Sequence, residues 1–193
     1  MKLIGITGLI GSGKTTVGHI LKDLGYVVCD MDVWCRKLYQ NPAFLKIIKK
    51  NFPLCFEGDV FHKKVLRNIV FSDHRQLELL ENIIHPYLKN ELLSFIHTHR
   101  FNPYIIFVEI ALLYQMNLER FFSDIIRTDA PYDVMLQRTI KRDCIDKKQY
   151  DSIIKKQKNG MYQKVSDLII NTNQPLTQLK KDVIKILKRI EEC

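Results

Sequence analysis

The stretch that decides the fold is residues 2–15, KLIGITGLIGSGKT. Its first half, residues 2–7, is a short apolar run that predicts a buried parallel strand. Its second half fits the pattern G-x-x-x-x-G-K-[ST], and residues 14–24 that follow have helical spacing. In this context of strand, loop and helix, we predict a phosphate-binding loop. The alternative is a glycine-rich turn that binds no ligand.

The residue types of this loop each have a chemical reason. Glycines allow positive φ angles, so that backbone N–H groups can curl around phosphates at the positive end of the helix. Lys14 is expected to reach the β- and γ-phosphates, and the Thr15 hydroxyl to ligate Mg²⁺. The predicted nucleotide-binding residues are Gly8, Gly11, Ser12, Gly13, Lys14 and Thr15. A GTPase would also need D-x-x-G and N-K-x-D motifs, and since neither occurs, a small-molecule kinase is favoured.

The rest of the chain predicts an α/β fold. A second apolar run at 26–29 ends at Asp30, and further runs at 104–113, 124–128 and 168–170 alternate with predicted helices at 131–143, 146–158 and 177–192. This alternation predicts a P-loop NTPase three-layer sandwich with a parallel sheet, a helical substrate-binding insertion and a lid. The expected single kinase domain has its core at 1–30, 101–137 and 165–193, an acceptor-binding insertion at about 31–100 and a lid at about 138–164.

Some residues predict where helices begin and end. Gly25 is expected to end the first helix in a left-handed conformation. Ser72 is expected to cap a helix that Pro86 breaks or kinks just after His85. Pro131 fits the first turn of a helix, and Asp146 with Gln149 predicts a capping box.

Composition and charge limit the classes of partner. The 193 residues include 30 Lys and Arg against 21 Asp and Glu, a net charge of +9. Such a surplus favours nucleic acid, anionic lipid or phosphorylated metabolites. Five cysteines without a C-x-x-C pair predict free thiols in a reducing cytoplasm rather than disulfides or a zinc site. No run of about 18 apolar residues occurs, so no membrane span is expected.

Several short motifs resemble the dephospho-CoA kinase family. Residues Gly8 to Thr16 resemble that family's G-G-I-G-S-G-K-[ST]-T loop, which adds Thr16 to the nucleotide-binding residues. Further motifs follow in the family's order, and here they are Asp30-Met31-Asp32, His85-Pro86, Ala111-Leu112-Leu113, Met135-Leu136-Gln137-Arg138 with Arg142, Gln157, and Ser166-Asp167-Leu168-Ile169-Ile170-Asn171-Thr172. The resemblance runs from residue 1 to about 173, with Ala111 in place of the family's usual proline.

The resemblance implies a reaction. ATP, with Mg²⁺, would phosphorylate the ribose 3′-hydroxyl of 3′-dephospho-CoA to give coenzyme A and ADP, the last step of coenzyme A synthesis. We accordingly expect a cytoplasmic enzyme with these two small molecules as partners, and neither a nucleic-acid nor a membrane partner.

Three carboxylates have candidate roles in that reaction. Asp32 follows the strand beside the loop, at the sheet edge where ligands bind, so it is the predicted general base for the 3′-hydroxyl. Its alternative role is to cap the next helix. Asp30 either orders water on Mg²⁺ or caps a helix. Glu109, within the third apolar run, either holds Mg²⁺ through water or pairs with a Lys or Arg.

Two arginines and two further residues complete the candidate site. Arg138 and Arg142 are four apart and share a helix face, where they would stabilise charge on the transferring phosphoryl group. The alternative is an exposed basic pair. A mobile lid here would exclude water. By the resemblance, His85 and Leu112 are candidate acceptor-binding residues, and the alternative for His85 is a structural role at a helix kink.

Two other functions stay open at this point. The first is another small P-loop kinase, acting on a nucleoside or a nucleoside monophosphate, which the same fold and lid would serve. The second is an ATP-binding protein associated with RNA or DNA, whose affinity would fall steeply with salt. No aromatic–basic RNA-binding motif supports the second.

Overall fold

Strands and helices alternate along most of the chain. A computed structural model of the protein describes residues 1–101, 104–161 and 168–192. The elements are β1 (Lys2–Gly8), α1 (Lys14–Asp23), β2 (Val27–Asp30), α2 (Met31–Leu38), α3 (Pro42–Asn51), β3 (Phe56–Glu57), β4 (Val60–Phe61), α4 (Lys63–Ser72), α5 (His74–His99), β5 (Ile105–Glu109), β6 (Asp124–Asp129), α6 (Tyr132–Asp143), α7 (Lys147–Met161), β7 (Leu168–Asn171) and α8 (Leu176–Glu192), with short 3₁₀ turns at Pro53–Cys55 and Glu119–Phe121.

Five of the strands form one parallel sheet. Their order is β2-β5-β1-β6-β7, and every pairing in it is parallel. β1 is the central strand, and its Ile4 and Ile6 side chains are fully buried. Because the strands are parallel, their carboxyl ends share one edge, which is where ligands bind in sheets of this kind.

Helices cover the sheet and bury its apolar side chains. Val17 and Leu21 of α1 pack with Val183 and Leu187 of α8 in the same buried cluster as Ile6 of β1. A parallel sheet requires such cover, because side chains on both faces of its strands are apolar. The predicted α/β class, a parallel sheet flanked by helices, is confirmed.

The chain divides into two compact units. One consists of Met1–Asp30 with His99–Cys193 and contains the sheet, and the other is Met31–Thr98. The second unit is mainly helical and includes the short antiparallel hairpin of β3 and β4. Its buried side chains include Phe44, Ile48 and Leu92. That this unit binds the acceptor, and that residues 138–164 act as a lid, remain predictions. Lys164, Ser166, Asp167 and Cys193 lie outside the described residues.

Two predicted helix boundaries are confirmed in atomic detail, and a third is shifted by one residue. Gly25 has a φ of +90°, and the N–H of Tyr26 donates to the Leu21 carbonyl at 3.0 Å, which closes α1 as a Schellman motif. The capping box also forms: the N–H of Gln149 donates to Asp146 Oδ1 at 2.8 Å, and the N–H of Asp146 donates to Gln149 Oε1 at 3.1 Å. Pro131 is the N-cap residue of α6, one position before its first turn.

Two predictions for the helical unit concern α4 and α5. The first is wrong: Ser72 ends α4 rather than capping α5, and the cap is Asp73, whose Oδ1 accepts from the N–H of Arg75 at 2.8 Å. Of the predicted break or kink at Pro86, the break does not occur, since α5 runs from His74 to His99 with the proline inside it. An internal proline costs about 3 kcal/mol. Buried side chains on both sides of it hold the helix together, and they are Leu80, Ile84, Leu88 and Leu92.

Two further predictions concern membrane-spanning helices and the state of the cysteines. None of the helices in the described ranges is long and apolar enough to cross a bilayer. Cys29, Cys35, Cys55 and Cys144 are free thiols.

The strand predicted at 104–113 is shorter than expected, because β5 ends at Glu109 and turns follow it.

Leu21→Ala should destabilise the protein by about 2–5 kcal/mol, because it leaves a cavity where α1 packs in the core. Leu21 is 0% exposed, whereas Leu176, at the start of α8, is 63% exposed. Leu176→Ala is therefore the matched control and should change the free energy of unfolding by less than about 0.5 kcal/mol. Urea unfolding measures both, and equal effects of the two substitutions would contradict the packing described.

Candidate active site

The predicted phosphate-binding loop joins β1 to α1 through residues 9–13. Gly11 and Gly13 have φ angles of +81° and +90°, which side-chain-bearing residues rarely adopt. Neighbouring groups also leave no room there. A Cβ on Gly13 would lie 2.8 Å from Thr172 Oγ1, and one on Gly11 would overlap the Met135 carbonyl oxygen. Both glycines are therefore required by backbone conformation and by space.

Lys14 begins α1 and folds back over the loop. Its Nζ donates to the carbonyl oxygens of Gly8 at 2.9 Å and Leu9 at 3.2 Å. The ammonium group is thus held at the loop, where a phosphate chain would need a cation. Thr15 and Thr16 follow in the first turn of α1, and both are exposed.

Ser12 is buried, and its side chain faces the sheet. Its Oγ lies 2.7 Å from Oγ1 of Thr128 at the end of β6, and Thr128 Oγ1 also donates to the Thr7 carbonyl at 3.2 Å. The Ser12 hydroxyl therefore ties the loop to the edge of the sheet. The contact predicted between Ser12 and nucleotide remains a prediction.

Thr172 connects the loop, β7 and Arg138. Its Oγ1 donates to the Ser12 carbonyl at 2.8 Å and accepts from Arg138 Nη1 at 2.9 Å. Arg138 Nη2 also donates to the Thr172 carbonyl at 3.0 Å, and Nη1 lies 3.4 Å from the Gly11 carbonyl oxygen. Arg138 is consequently held beside the loop by three polar contacts, although it belongs to α6.

Gln157 anchors α7 to the same loop. Its Oε1 accepts from the N–H of Ile10 at 2.8 Å, and its backbone carbonyl accepts from Gln115 Nε2 at 2.8 Å. The Gln157 side chain is buried, at 7% exposure. Two segments that lie far apart in the sequence, α7 and the turn after β5, therefore meet at the loop.

A buried carboxylate lies next to the Thr15 hydroxyl. Glu109, the last residue of β5, is 6% exposed and pairs in register with Asp30 of β2. Burial first, and repulsion from Asp30 second, raise the pKa of Glu109, while the Thr15 hydrogen bond and the charges of Lys22 and Lys14 oppose this. Carboxylates with a pKa perturbed in this way are concentrated at functional sites, so Glu109 is a candidate site residue.

This donor set fits Mg²⁺. The ion prefers oxygen ligands and is usually held by one or two protein groups together with substrate phosphates and water. Thr15 and Glu109 provide a hydroxyl and a carboxylate in contact with each other at the loop. No cluster of three or more His, Cys, Asp or Glu side chains suited to an all-protein metal site occurs in the part of the chain that the structure describes.

The remaining predicted residues are distributed over both units. Arg142 forms a two-pronged pair with its neighbour Asp143, at 2.9 and 2.7 Å. Leu112 is half-buried in the turn after β5. Asp32 is exposed in the first turn of α2, and His85 is half-buried in α5. These two belong to the helical unit.

Thr172 and Gln115 are site residues that the sequence reasoning did not assign. A signal for Thr172 was present, since it directly follows β7 and so lies at the carboxyl edge of the sheet. No sequence signal marks Gln115, because its partner Gln157 lies 42 residues away.

Comparison with known proteins gives one family. The family model for dephospho-CoA kinase matches residues 2–178. A dephospho-CoA kinase of Hydrogenovibrio crunogenus is 33% identical over 192 residues, which cover 97% of each chain. Another, from Pseudoalteromonas translucida, is 31% identical over 191 residues, which cover 96% of this chain and 90% of the relative.

Solved structures are similar over the same length. A crystal structure of a Thermus thermophilus protein has a TM-score of 0.78 at 26% identity and covers 97% of both chains. A dephospho-CoA kinase from Campylobacter jejuni has a TM-score of 0.64 at 22% identity, covering 98% of this chain and 97% of that one. A shikimate kinase from Bacteroides thetaiotaomicron has a TM-score of 0.60 at 15% identity and covers 98% of both. The last two show the fold alone, that of the P-loop kinases.

The loop geometry and the comparisons lead to the same class of enzyme. A lysine and a threonine at the start of α1, with a buried carboxylate beside the threonine, are the residue types with which P-loop kinases hold a nucleotide and its metal ion. Because the family model covers nearly the whole sequence, we conclude that this chain belongs to the dephospho-CoA kinase family of ATP-dependent kinases.

Proposed function

We propose that this protein transfers the γ-phosphoryl group of ATP to the ribose 3′-hydroxyl of 3′-dephospho-CoA, giving ADP and coenzyme A. The observation that carries the proposal is the built phosphate loop, with Lys14 held over it and Arg138 fixed beside it, in a chain that matches the family model from residue 2 to 178. This reaction is the last step of coenzyme A synthesis.

The nucleotide is held mainly by backbone and by Lys14. The loop amides and the positive end of α1 face the phosphates, and the Lys14 ammonium leaves its carbonyl partners for the β- and γ-phosphates. The predicted contacts from Gly8, Gly11, Ser12, Gly13, Thr15 and Thr16 belong to this arrangement. Thr15 and Glu109 would hold Mg²⁺, which neutralises phosphate charge when bound.

Asp32 is the proposed general base. It lies in the first turn of α2, directly after β2 reaches the carboxyl edge of the sheet, and it is exposed. A carboxylate at this position can act as the group that accepts the proton of the 3′-hydroxyl. His85 and Leu112 are proposed acceptor contacts, and the unit Met31–Thr98 is the proposed acceptor-binding part.

Residues 138–164 form the proposed lid, with Arg138 and Arg142 at its start. Arg138 already contacts the loop, so it can stabilise charge on the transferring group without a large movement. Arg142 would give up its hydrogen bonds to the Asp143 carboxylate and form others to phosphate oxygens. Both sets of hydrogen bonds are charge-assisted. A closed lid limits hydrolysis of ATP by water.

The location and partners are also part of the proposal. Free thiols at Cys29, Cys35, Cys55 and Cys144 support a reducing cytoplasm. The surplus of basic residues is proposed to serve phosphorylated small molecules, with no nucleic-acid or membrane partner.

A panel of acceptors tests the function. Purified protein with Mg²⁺ and ATP should release ADP with 3′-dephospho-CoA at a kcat/KM at least about 100-fold above that with AMP, CMP or shikimate, because the acceptor site must read more than a hydroxyl. Coupled ADP release measures this ratio. A preference for a nucleoside monophosphate would instead favour the other small P-loop kinases, and equal rates would contradict the proposal.

Asp32→Asn should lower kcat by about 10²–10⁴-fold and change the KM for ATP little. Asparagine keeps the size and helix-capping ability of aspartate but loses basicity, so a role limited to capping α2 would leave kcat intact. Asp23→Asn, in the exposed last turn of α1, is the matched control and should keep full activity. Normal turnover in Asp32→Asn would eliminate the base assignment.

Glu109→Gln should raise the Mg²⁺ concentration required for half-maximal activity by about 10-fold, because a charged ligand is lost. The pKa of Glu109 is raised, so its carboxylate takes up a proton at a higher pH than an ordinary glutamate does. In the unaltered protein the Mg²⁺ requirement should therefore rise as the pH falls through that raised pKa. This pH dependence should be absent in Glu109→Gln, and its persistence there would assign it to another group.

A further inference from the structure

The helical unit contains a basic cavity of about 410 Å³ that the reaction scheme above does not use. Its residues lie on α4, on α5 and in the turn after α2, and they are Tyr39, Lys63, Lys64, Leu66, Arg67, Val70 and Leu80. The volume is that of a typical small-molecule pocket, which ranges from about 300 to 1,000 Å³. We call these residues the basic cavity.

One part of the basic cavity is apolar. Leu66 and Val70 of α4 and Leu80 of α5 are each less than 9% exposed. They provide a dry wall suited to a neutral chain that contains methyl and methylene groups.

The other part carries three cations and no opposing charge. Lys63, Lys64 and Arg67 occupy the first turns of α4, whose positive end adds to their field. Among the described residues that line the cavity there is no Asp or Glu, and none of the three cations forms an ion pair with a carboxylate in the described part of the chain. Three cations gathered beside an apolar wall favour an anionic ligand with a neutral tail.

An aromatic platform holds one of these cations in place. The Lys63 ammonium lies 5.4 Å from the centre of the Tyr39 ring. Tyr39 in turn is stacked on Phe61, with ring centres 5.5 Å apart, and meets Phe44 edge-on at 5.6 Å. Burial raises the pKa of Tyr39, so its hydroxyl stays protonated and can donate to an anion.

We propose that the basic cavity binds the diphosphate and pantetheine arm of the acceptor, an inference that rests on the proposed function. The diphosphate meets the cations of α4, and the pantetheine chain, with its two methyl groups, lies along the apolar wall. The part of the acceptor that does not react thereby supplies binding energy and distinguishes 3′-dephospho-CoA from a simple nucleoside.

The test removes two of the cations. Lys63→Ala/Arg67→Ala should raise the KM for 3′-dephospho-CoA by about 10- to 100-fold, while the KM for ATP stays unchanged, because contacts to charged phosphates are lost only on the acceptor side. The matched control is Lys46→Ala/Lys50→Ala, two exposed lysines of α3 outside the cavity, which removes the same charge from the same unit. An unchanged KM, or an equal rise in the control, would overturn the proposal.

A binding measurement separates this inference from the proposed reaction. Calorimetric titration compares 3′-dephospho-CoA with adenosine, which has the same 3′-hydroxyl but neither diphosphate nor pantetheine. The double variant should bind 3′-dephospho-CoA at least about 10-fold more weakly and adenosine as before. If 3′-dephospho-CoA binds in this cation-dependent way without being phosphorylated, the assignment of the basic cavity is supported and the proposed reaction is contradicted. If it is phosphorylated but its binding does not depend on these cations, the proposed reaction is supported and the assignment of the basic cavity is contradicted.

Discussion

The left-handed backbone at Gly11 and Gly13 is the constraint on which the site depends. It turns the chain tightly between β1 and α1, and the Met135 backbone and the Thr172 side chain lie directly against the two glycines. At this close approach Thr172 reaches the Ser12 carbonyl, and Arg138 reaches Thr172 and the Gly11 carbonyl. A side chain at Gly11 would displace α6, and one at Gly13 would displace Thr172, so the loop and Arg138 are positioned by the same two glycines.

The site combines a buried carboxylate with nearby cations. Glu109 is a buried carboxylate opposed by Asp30, and the pKa of its side chain is raised as a result. Lys14 is hydrogen-bonded to carbonyl oxygens of its own loop. The charges of Lys22 and Lys14 lower the pKa of Glu109 and so partly offset the effect of its burial.

The fold was largely predictable from the sequence, because its signals are local. The strand–loop–helix of residues 2–24, the left-handed Gly25 and the Asp146–Gln149 capping box each depend on a few adjacent residues, and each is found. Whether the helix would break at Pro86 could not be decided locally, since the cost of the proline is outweighed by side chains packed along α5, which adjacent residues do not reveal. Gln115 was missed because its partner is distant in sequence, whereas Thr172 had a local signal in its position directly after β7. The different hydrogen-bond partners of Arg138 and Arg142 were likewise invisible in their four-residue spacing.

The attachment of α7 through Gln157 stabilises the position of that helix beside the loop. Gln157 accepts two hydrogen bonds there: its Oε1 accepts from the Ile10 N–H, and its backbone carbonyl accepts from Gln115 Nε2. Each contributes about 0.5–1.5 kcal/mol, and more is lost if the buried amide is left without a partner. Moving α7 away from the loop therefore requires breaking both bonds together, so the docked position of α7 is the more stable one.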